Sequence, residues 1–426
     1  MNVEIVTIGD ELLLGFTVDT NAAHAARELA RIGVAVVRRA TVGDSESDIT
    51  STVKEALDRT GAVITTGGLG PTSDDLTVPA VATVFGRALR FDDAVWDALC
   101  RRWKSYGWPG EIPESNRKQA FVPEGATILA NNHGSAPGVW LEDDRGRWVA
   151  TLPGVPREMR GMLADQILPR LRTRAGANPH VIVSRTLRTV GIGESALADK
   201  LGTLAKGPEG LPLAYLPGWE GVDLRLTSRD LSAGDAARAL DAGASTLRAV
   251  LDDLTYGEDG TDLAAVVLQH LRDGGMKLAV AESCTGGLLG ARLTAIPGSS
   301  DVMLGGVISY ANAVKESHLD VRPETLAAHG AVSEETAREM ATGVRDRLGA
   351  DVGVSITGVA GPDGGTPDKP VGTVCFATNV RGAVRSSRST LIGDRDEIRR
   401  RSTQVALNLV RRALRETATA RPRSVG

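Results

Sequence analysis

The chain has 426 residues, enough for two to three domains at roughly 150 residues each. Its 49 Lys and Arg stand against 53 Asp and Glu, a net charge of −4 that leaves no electrostatic footprint for nucleic acid or an anionic membrane. Apolar residues are 42% and charged residues 24%, which excludes wholesale disorder, and Cys100, Cys284 and Cys375 are too few and scattered for a disulfide framework or zinc cluster, so a cytoplasmic protein is expected.

The amino terminus, Met1-Asn2-Val3-Glu4-Ile5, places no basic stretch before an apolar one and predicts no signal peptide. No apolar run reaches the roughly 18 residues of a membrane span. Residues 3–8 read as a strand ending at Gly9-Asp10-Glu11. Thr20 is placed to cap a helix that Gly33 stops, and residues 34–37 form the next strand. Ser47 opens a second helix that Gly61 ends. Residues 62–66 form a third strand, which runs into Gly67-Gly68-Leu69-Gly70-Pro71-Thr72-Ser73-Asp74-Asp75. This alternation predicts a parallel sheet with helices on both faces. Asp10 and Asp74 then share its carboxyl edge, where open α/β sheets bind ligands. The glycines, with Gly68 and Gly70 foremost, suit a phosphate, and Thr72 lies in the same loop. Asp10, Asp74 and Asp75, with Glu158 from the later loop 151–159, are candidate oxygen ligands for a divalent cation. Asp74 and Asp75 could equally cap the following helix. No Lys-Ser/Thr follows the last glycine, so this is not a Walker loop.

Residues 173–256 read as a small α+β module, with strands at 181–183 and 222–226 and an amphipathic helix at 234–251. Its G-x-x-G, Gly207 to Gly210, encloses Glu209, whose charge opposes a nucleotide backbone. From residue 257 the α/β alternation resumes. The predicted fold class is therefore α/β, with two parallel or mixed-sheet domains, 1–172 and 257–426, joined by that module. A strand at 277–281 runs into Glu282-Ser283-Cys284-Thr285-Gly286-Gly287 and a helix from 285. A hydroxyl at such a turn has helix N–H groups and a helix dipole available for an oxyanion, although an ordinary N-cap serine looks the same. Cys284 is a rival nucleophile. Ser309-Tyr310-Ala311-Asn312-Ala313-Val314-Lys315 supplies a lysine that can deprotonate a serine if buried, or is a solvated surface group. Residues 355–365, with Thr357, Gly358 and Gly361, have the spacing of an anion cradle or a long turn. Ser333 is a helix N-cap, with Glu334 and Glu335 in the first turn. Arg395 or Arg399, at the start of the last helix, can grip a phosphate or sit in a surface salt bridge.

The strings AESCTGG, GAVSEETA, TGVAGPDGG and KPVGTV resemble the nicotinamide-nucleotide amidase domain of the CinA family, PncC type. That resemblance implies hydrolysis of nicotinamide mononucleotide to nicotinic acid mononucleotide and ammonia, without a cofactor. It assigns Ser283 as nucleophile, Lys315 as base and Tyr310 as their partner. It leaves Thr285, Gly286, Thr357, Gly358, Gly361 and Arg395 or Arg399 to contact the substrate. The loops of residues 1–172 resemble the molybdopterin-binding MogA and MoaB domains and, more closely, the amino-terminal CinA domain. The CinA resemblance implies hydrolysis of ADP-ribose to AMP and ribose 5-phosphate with a divalent metal. The MogA resemblance implies pterin binding. The middle module falls where CinA proteins carry a KH-like unit, and a homodimer is implied. Two other readings stay open. Either the amidase alone is active beside a pterin- or nucleotide-binding module, or the chain is a non-enzymatic competence or damage-response factor.

Overall fold

The computed structural model describes residues 1–175 and 180–419. The chain divides into two compact units: residues 1–183 with 227–239, and residues 184–226 with 240–426.

The first unit holds β1 (Asn2–Ile8), β2 (Ala35–Val42), β3 (Ala62–Thr66), the ribbon β4 (Leu89–Phe91) with β5 (Phe121–Pro123), then β6 (Thr127–Leu129), β7 (Gly138–Glu142) and β8 (Trp148–Leu152). The main sheet runs β2-β1-β3-β8-β7-β6. Its first four strands are parallel, and β7 and β6 turn antiparallel. Alternating side chains feed two cores, as period-2 geometry requires. Val3 and Ile5 pack with the helices Thr20–Arg31 and Pro156–Met162, while Val6 and Ile8 pack with Glu46–Thr60 and Thr77–Val84. Two caps differ from expectation. Asp19, not Thr20, accepts the Ala22 amide, and Ser45, not Ser47, is the N-cap of the second helix. Asp19 stands one residue before the helix, where its carboxylate reaches the Ala22 amide, and Ser47 falls inside the first turn.

Downstream lie β9 (His180–Thr189), β10 (Leu213–Pro217), β11 (Val222–Ser232) and β12 (Thr255–Glu258), in the sheet order β10-β11-β9-β12. β13 (Leu278–Glu282), β14 (Met303–Ile308), β15 (Val352–Gly358), β16 (Thr373–Val380) and β17 (Ala383–Thr390) form the sheet β14-β13-β15-β16-β17. β14, β13 and β15 are parallel, so their carboxyl ends share one edge. β16 and β17 are antiparallel additions. Leu278 and Val280 face the helices Leu263–Asp273, Leu288–Thr294 and Arg395–Thr419, and Ala279 and Ala281 face Glu334–Leu348. The first of these cores also takes in Val190 and Tyr256. Within the second unit the middle segment is thus continuous with the α/β core. Part of the start of the module expected at residues 173–256 lies outside the described residues.

Candidate functional site

Ser283 leaves the end of β13, and its amide donates to the Ile356 carbonyl on β15 (2.9 Å). The turn tightens through the Gly286 amide, which donates to the Ser283 carbonyl (3.1 Å). Gly286 and Gly287 have φ of 60° and 95°, the left-handed region where a Cβ is costly. These two residues delay the helix to Leu288–Thr294, three residues later than the pattern suggests.

Lys315 sits on the helix Asn312–Leu319 that follows β14, and it is 1% exposed. Its Nζ lies 3.2 Å from Ser283 Oγ, 2.7 Å from the Ser309 carbonyl and 3.5 Å from the Tyr310 carbonyl. It is therefore not a surface lysine. Burial lowers its pKa from the ordinary 10.5, because the charged form loses solvation. A neutral amine has two N–H groups and one lone pair. The two carbonyls take the N–H groups, which leaves the lone pair for the serine hydroxyl. Cys284 is buried beside Ser283, and desolvation pushes its thiol up to about 12. At neutral pH it stays a thiol, and the thiolate is the nucleophilic form.

The remaining assigned residues are gathered unevenly. Tyr310 joins the pair by its carbonyl alone. Its side chain is 62% exposed, and its hydroxyl meets Arg395 Nη2 at 3.1 Å. Arg395 also donates to the Gly361 carbonyl (2.6 Å), and Arg399 donates to the Thr285 carbonyl (2.9 Å). Arg399 thus borders the serine turn, while Arg395 bridges Gly361 and Tyr310. Thr357 is buried, and its hydroxyl donates to the Ala331 carbonyl (2.7 Å). Gly358 closes β15 beside it. Thr285 Oγ1 is buried and has no hydrogen-bond partner among the described residues. Three amides at the start of the helix are occupied: those of Gly287, Leu289 and Gly290 donate to the Glu282 carboxylate. Sequence reading passed over Glu282 because a carboxylate at a strand end looks solvated. Ser333 does cap its helix, accepting the Thr336 amide.

At the carboxyl edge of the first sheet lies a cleft of about 500 Å³. Gly68, Gly70, Asp74, Asp75 and Glu158 line it, as do Glu11, Asn21, Asp44 and Gln119. Gly67 has φ of 108°, and a Cβ there would stand 2.1 Å from the Ile8 carbonyl oxygen, so only glycine lets the loop lie on β1. Asp44 follows β2 and could have been found by the same edge argument as Asp10. Burial, with Asp10, Glu11 and Asp74 nearby, raises its pKa.

The four carboxylates expected to ligate a metal do not converge. The Asp10 amide donates to Asp44 Oδ2 (3.0 Å), and the Asp44 amide donates to Asp10 Oδ1 (3.3 Å). Asp75 accepts from the Thr72 amide (2.8 Å) and hydroxyl, so Thr72 serves its own loop. Glu158 accepts from Asn131 Nδ2 (2.6 Å). Among the described residues no group of three or more His, Cys, Asp or Glu is placed to hold a metal ion. The residues as arranged do not fit a resident cation. Among the described residues, too, no helix is long and apolar enough to cross a membrane.

Comparison with known proteins gives three family matches. Residues 4–173 match the family described as probable molybdopterin binding domain, residues 184–257 the damage-inducible protein CinA KH domain, and residues 260–414 the CinA C-terminal domain. A CinA-like protein of Gemmatimonas aurantiaca is 62% identical over 98% of this chain and 97% of its own. A CinA-like protein of Parasynechococcus marenigrum is 44% identical over 94% and 98% respectively. A solved CinA superfamily protein from Klebsiella pneumoniae is 38% identical, covering 36% of this chain and 96% of its own, with a TM-score of 0.36.

Proposed function

The chain belongs to the CinA family, and from that premise we propose that its carboxyl-terminal site hydrolyses the carboxamide of nicotinamide mononucleotide. The observation that supports this best is the buried Lys315–Ser283 pair at 3.2 Å. Ser283 Oγ attacks the amide carbonyl carbon as its proton passes to the Lys315 lone pair. Lys315 then returns that proton to the departing nitrogen, and the C–N bond breaks to release ammonia. Water hydrolyses the acyl-serine by the same route in reverse, giving nicotinic acid mononucleotide and free Ser283. Arg395 and Arg399 supply charge for the nucleotide phosphate at the rim. Incubating the protein with nicotinamide mononucleotide and measuring ammonia tests the reading. The amidase predicts release that a chelator does not affect.

A second reading concerns the other cleft. Its glycine loop and volume favour a phosphate-bearing ligand. With the family as guide, that ligand is ADP-ribose, cleaved to AMP and ribose 5-phosphate. The expected divalent metal has no converged ligand set, so no step is assigned to one. AMP formation from ADP-ribose separates this reading from a cleft that only binds a pterin or nucleotide. A protein that turns over neither nucleotide is the non-enzymatic factor.

A further inference from the structure

One buried carboxyl group beside the nucleophile takes no part in the reaction above. Glu282 ends β13 and is 1% exposed. Its Oε2 accepts the amides of Gly287 and Leu289, each at 3.0 Å, and its Oε1 accepts that of Gly290 at 2.8 Å. These belong to the first turn of the helix Leu288–Thr294, where amides have no partner within the helix. Burying a carboxylate costs several kcal/mol unless strong hydrogen bonds offset it. Three amides and the positive end of a helix do so.

This arrangement fixes the serine turn from both sides. Behind it, the Ser283 amide is tied to the Ile356 carbonyl. Ahead of it, Glu282 spans the turn and holds the helix that the turn leads into. Arg399 adds a third tie at the Thr285 carbonyl. Ser283 Oγ is set by these ties, and Lys315 is set by the carbonyls of Ser309 and Tyr310. Ser309 in turn donates its amide to the Glu282 carbonyl (2.7 Å), so the distance between the two side chains depends on both anchorages, which meet at the backbone of Glu282.

Resting on the amidase reading, we infer that Glu282 is a positioning residue: its grip on the Gly287, Leu289 and Gly290 amides holds Ser283 Oγ within reach of the Lys315 lone pair. Glu282 touches neither substrate nor the reacting atoms. It also fills the helix end, so the oxyanion must be met by other groups.

Glu282→Gln keeps the shape but turns one acceptor into an N–H donor facing amide N–H groups, so at least one of the three bonds is lost. A displacement near 1 Å can cost about 10²-fold in rate. In the full chain, kcat for ammonia release is expected to fall between about 10- and 100-fold. KM should stay within about threefold, because substrate groups are untouched. The acidic limb of the rate profile should not move, because Lys315 keeps its surroundings. A role confined to stability would lower the melting temperature and leave kcat alone. A folded variant with kcat within about twofold of the wild type overturns the inference, as does a moved limb.

Should the variant not fold, amide exchange in the unaltered protein carries the test. Gly287, Leu289 and Gly290 should exchange as slowly as the middle of their helix, and exchange at the rate of an exposed loop overturns the grip. A wild-type protein that makes no ammonia from nicotinamide mononucleotide removes the amidase reading, whereas the exchange result reports on Glu282 alone.

Discussion

Lys315 Nζ stands 3.2 Å from Ser283 Oγ, and each side chain comes from a different crossover of the same sheet. Ser283 follows β13, and Lys315 follows β14, the parallel neighbour of β13. Because parallel strands present their carboxyl ends together, residues 32 positions apart meet at one edge. Lys315 is buried and, among the described residues, pairs with no carboxylate, so desolvation favours its neutral, basic form.

Lys315→Met removes the amine and keeps the stem. Turnover of nicotinamide mononucleotide should fall by about 10²–10⁴, the usual worth of general acid–base help. Lys315→Arg should fail similarly, since a guanidinium stays protonated and cannot accept the serine proton. Steady-state kinetics of both variants check this, and wild-type-like turnover in either removes Lys315 from the chemistry.

The lowered Lys315 pKa also has a signature in pH. Activity should rise with pH along a limb lying below 10.5, as the amine loses its proton. Stability should change in the same direction. The unfolded chain binds the lysine proton more tightly than the folded one, so folding is penalised below the unfolded value, and the penalty fades as pH rises toward it. Urea unfolding across pH should show this slope in the wild type and a flatter one in Lys315→Met.

Glu220 bonds both Arg188 and Arg292, each 10% exposed, and Arg292 also pairs with Asp262. This network and the shared core of Val190 and Tyr256 tie the middle segment to the amidase helices. Glu220→Ala leaves two nearly buried guanidinium groups short of a partner and should cost about 2–4 kcal/mol by chemical denaturation. Taken by itself, the domain boundary read at residue 257 implies a fragment starting near Gly257 that folds alone. Such a fragment would lose Glu220, Val190 and Tyr256. It should therefore melt well below a fragment of residues 184–426, and equal melting temperatures would contradict this.

Gly67→Ala places a Cβ against the Ile8 carbonyl and forces a strained positive φ, a cost of about 1–3 kcal/mol locally. It should abolish ADP-ribose binding by calorimetry and leave ammonia release within about twofold. Loss of both would contradict separate sites.

Much of this was legible in the residues. Strand 62–66, the strand-to-turn junctions, the sheet edge that carries Asp74 and the separate sheet edge that gathers Ser283 and Lys315 follow from β-α alternation alone. The Ser333 cap follows from its side chain. Three features were not legible. The Glu282 bonds depend on a turn held by Gly286 and Gly287, which shifts the helix start by three residues. The scattering of Asp10, Asp75 and Glu158 reflects local partners (Asp44, Thr72 and Asn131) that no spacing rule reveals. Tyr310 was read by residue type, whereas its carbonyl is what reaches Lys315.

The most direct test compares Ser283→Ala with Cys284→Ala in ammonia release from nicotinamide mononucleotide. A buried thiol held near 12 stays protonated at neutral pH, whereas the Ser283 hydroxyl lies within reach of Lys315, whose burial favours the amine that can take its proton. Ser283→Ala should release no ammonia above the uncatalysed background, and Cys284→Ala should keep most of the wild-type rate. Activity that survives loss of Ser283 and disappears with loss of Cys284 would contradict the account.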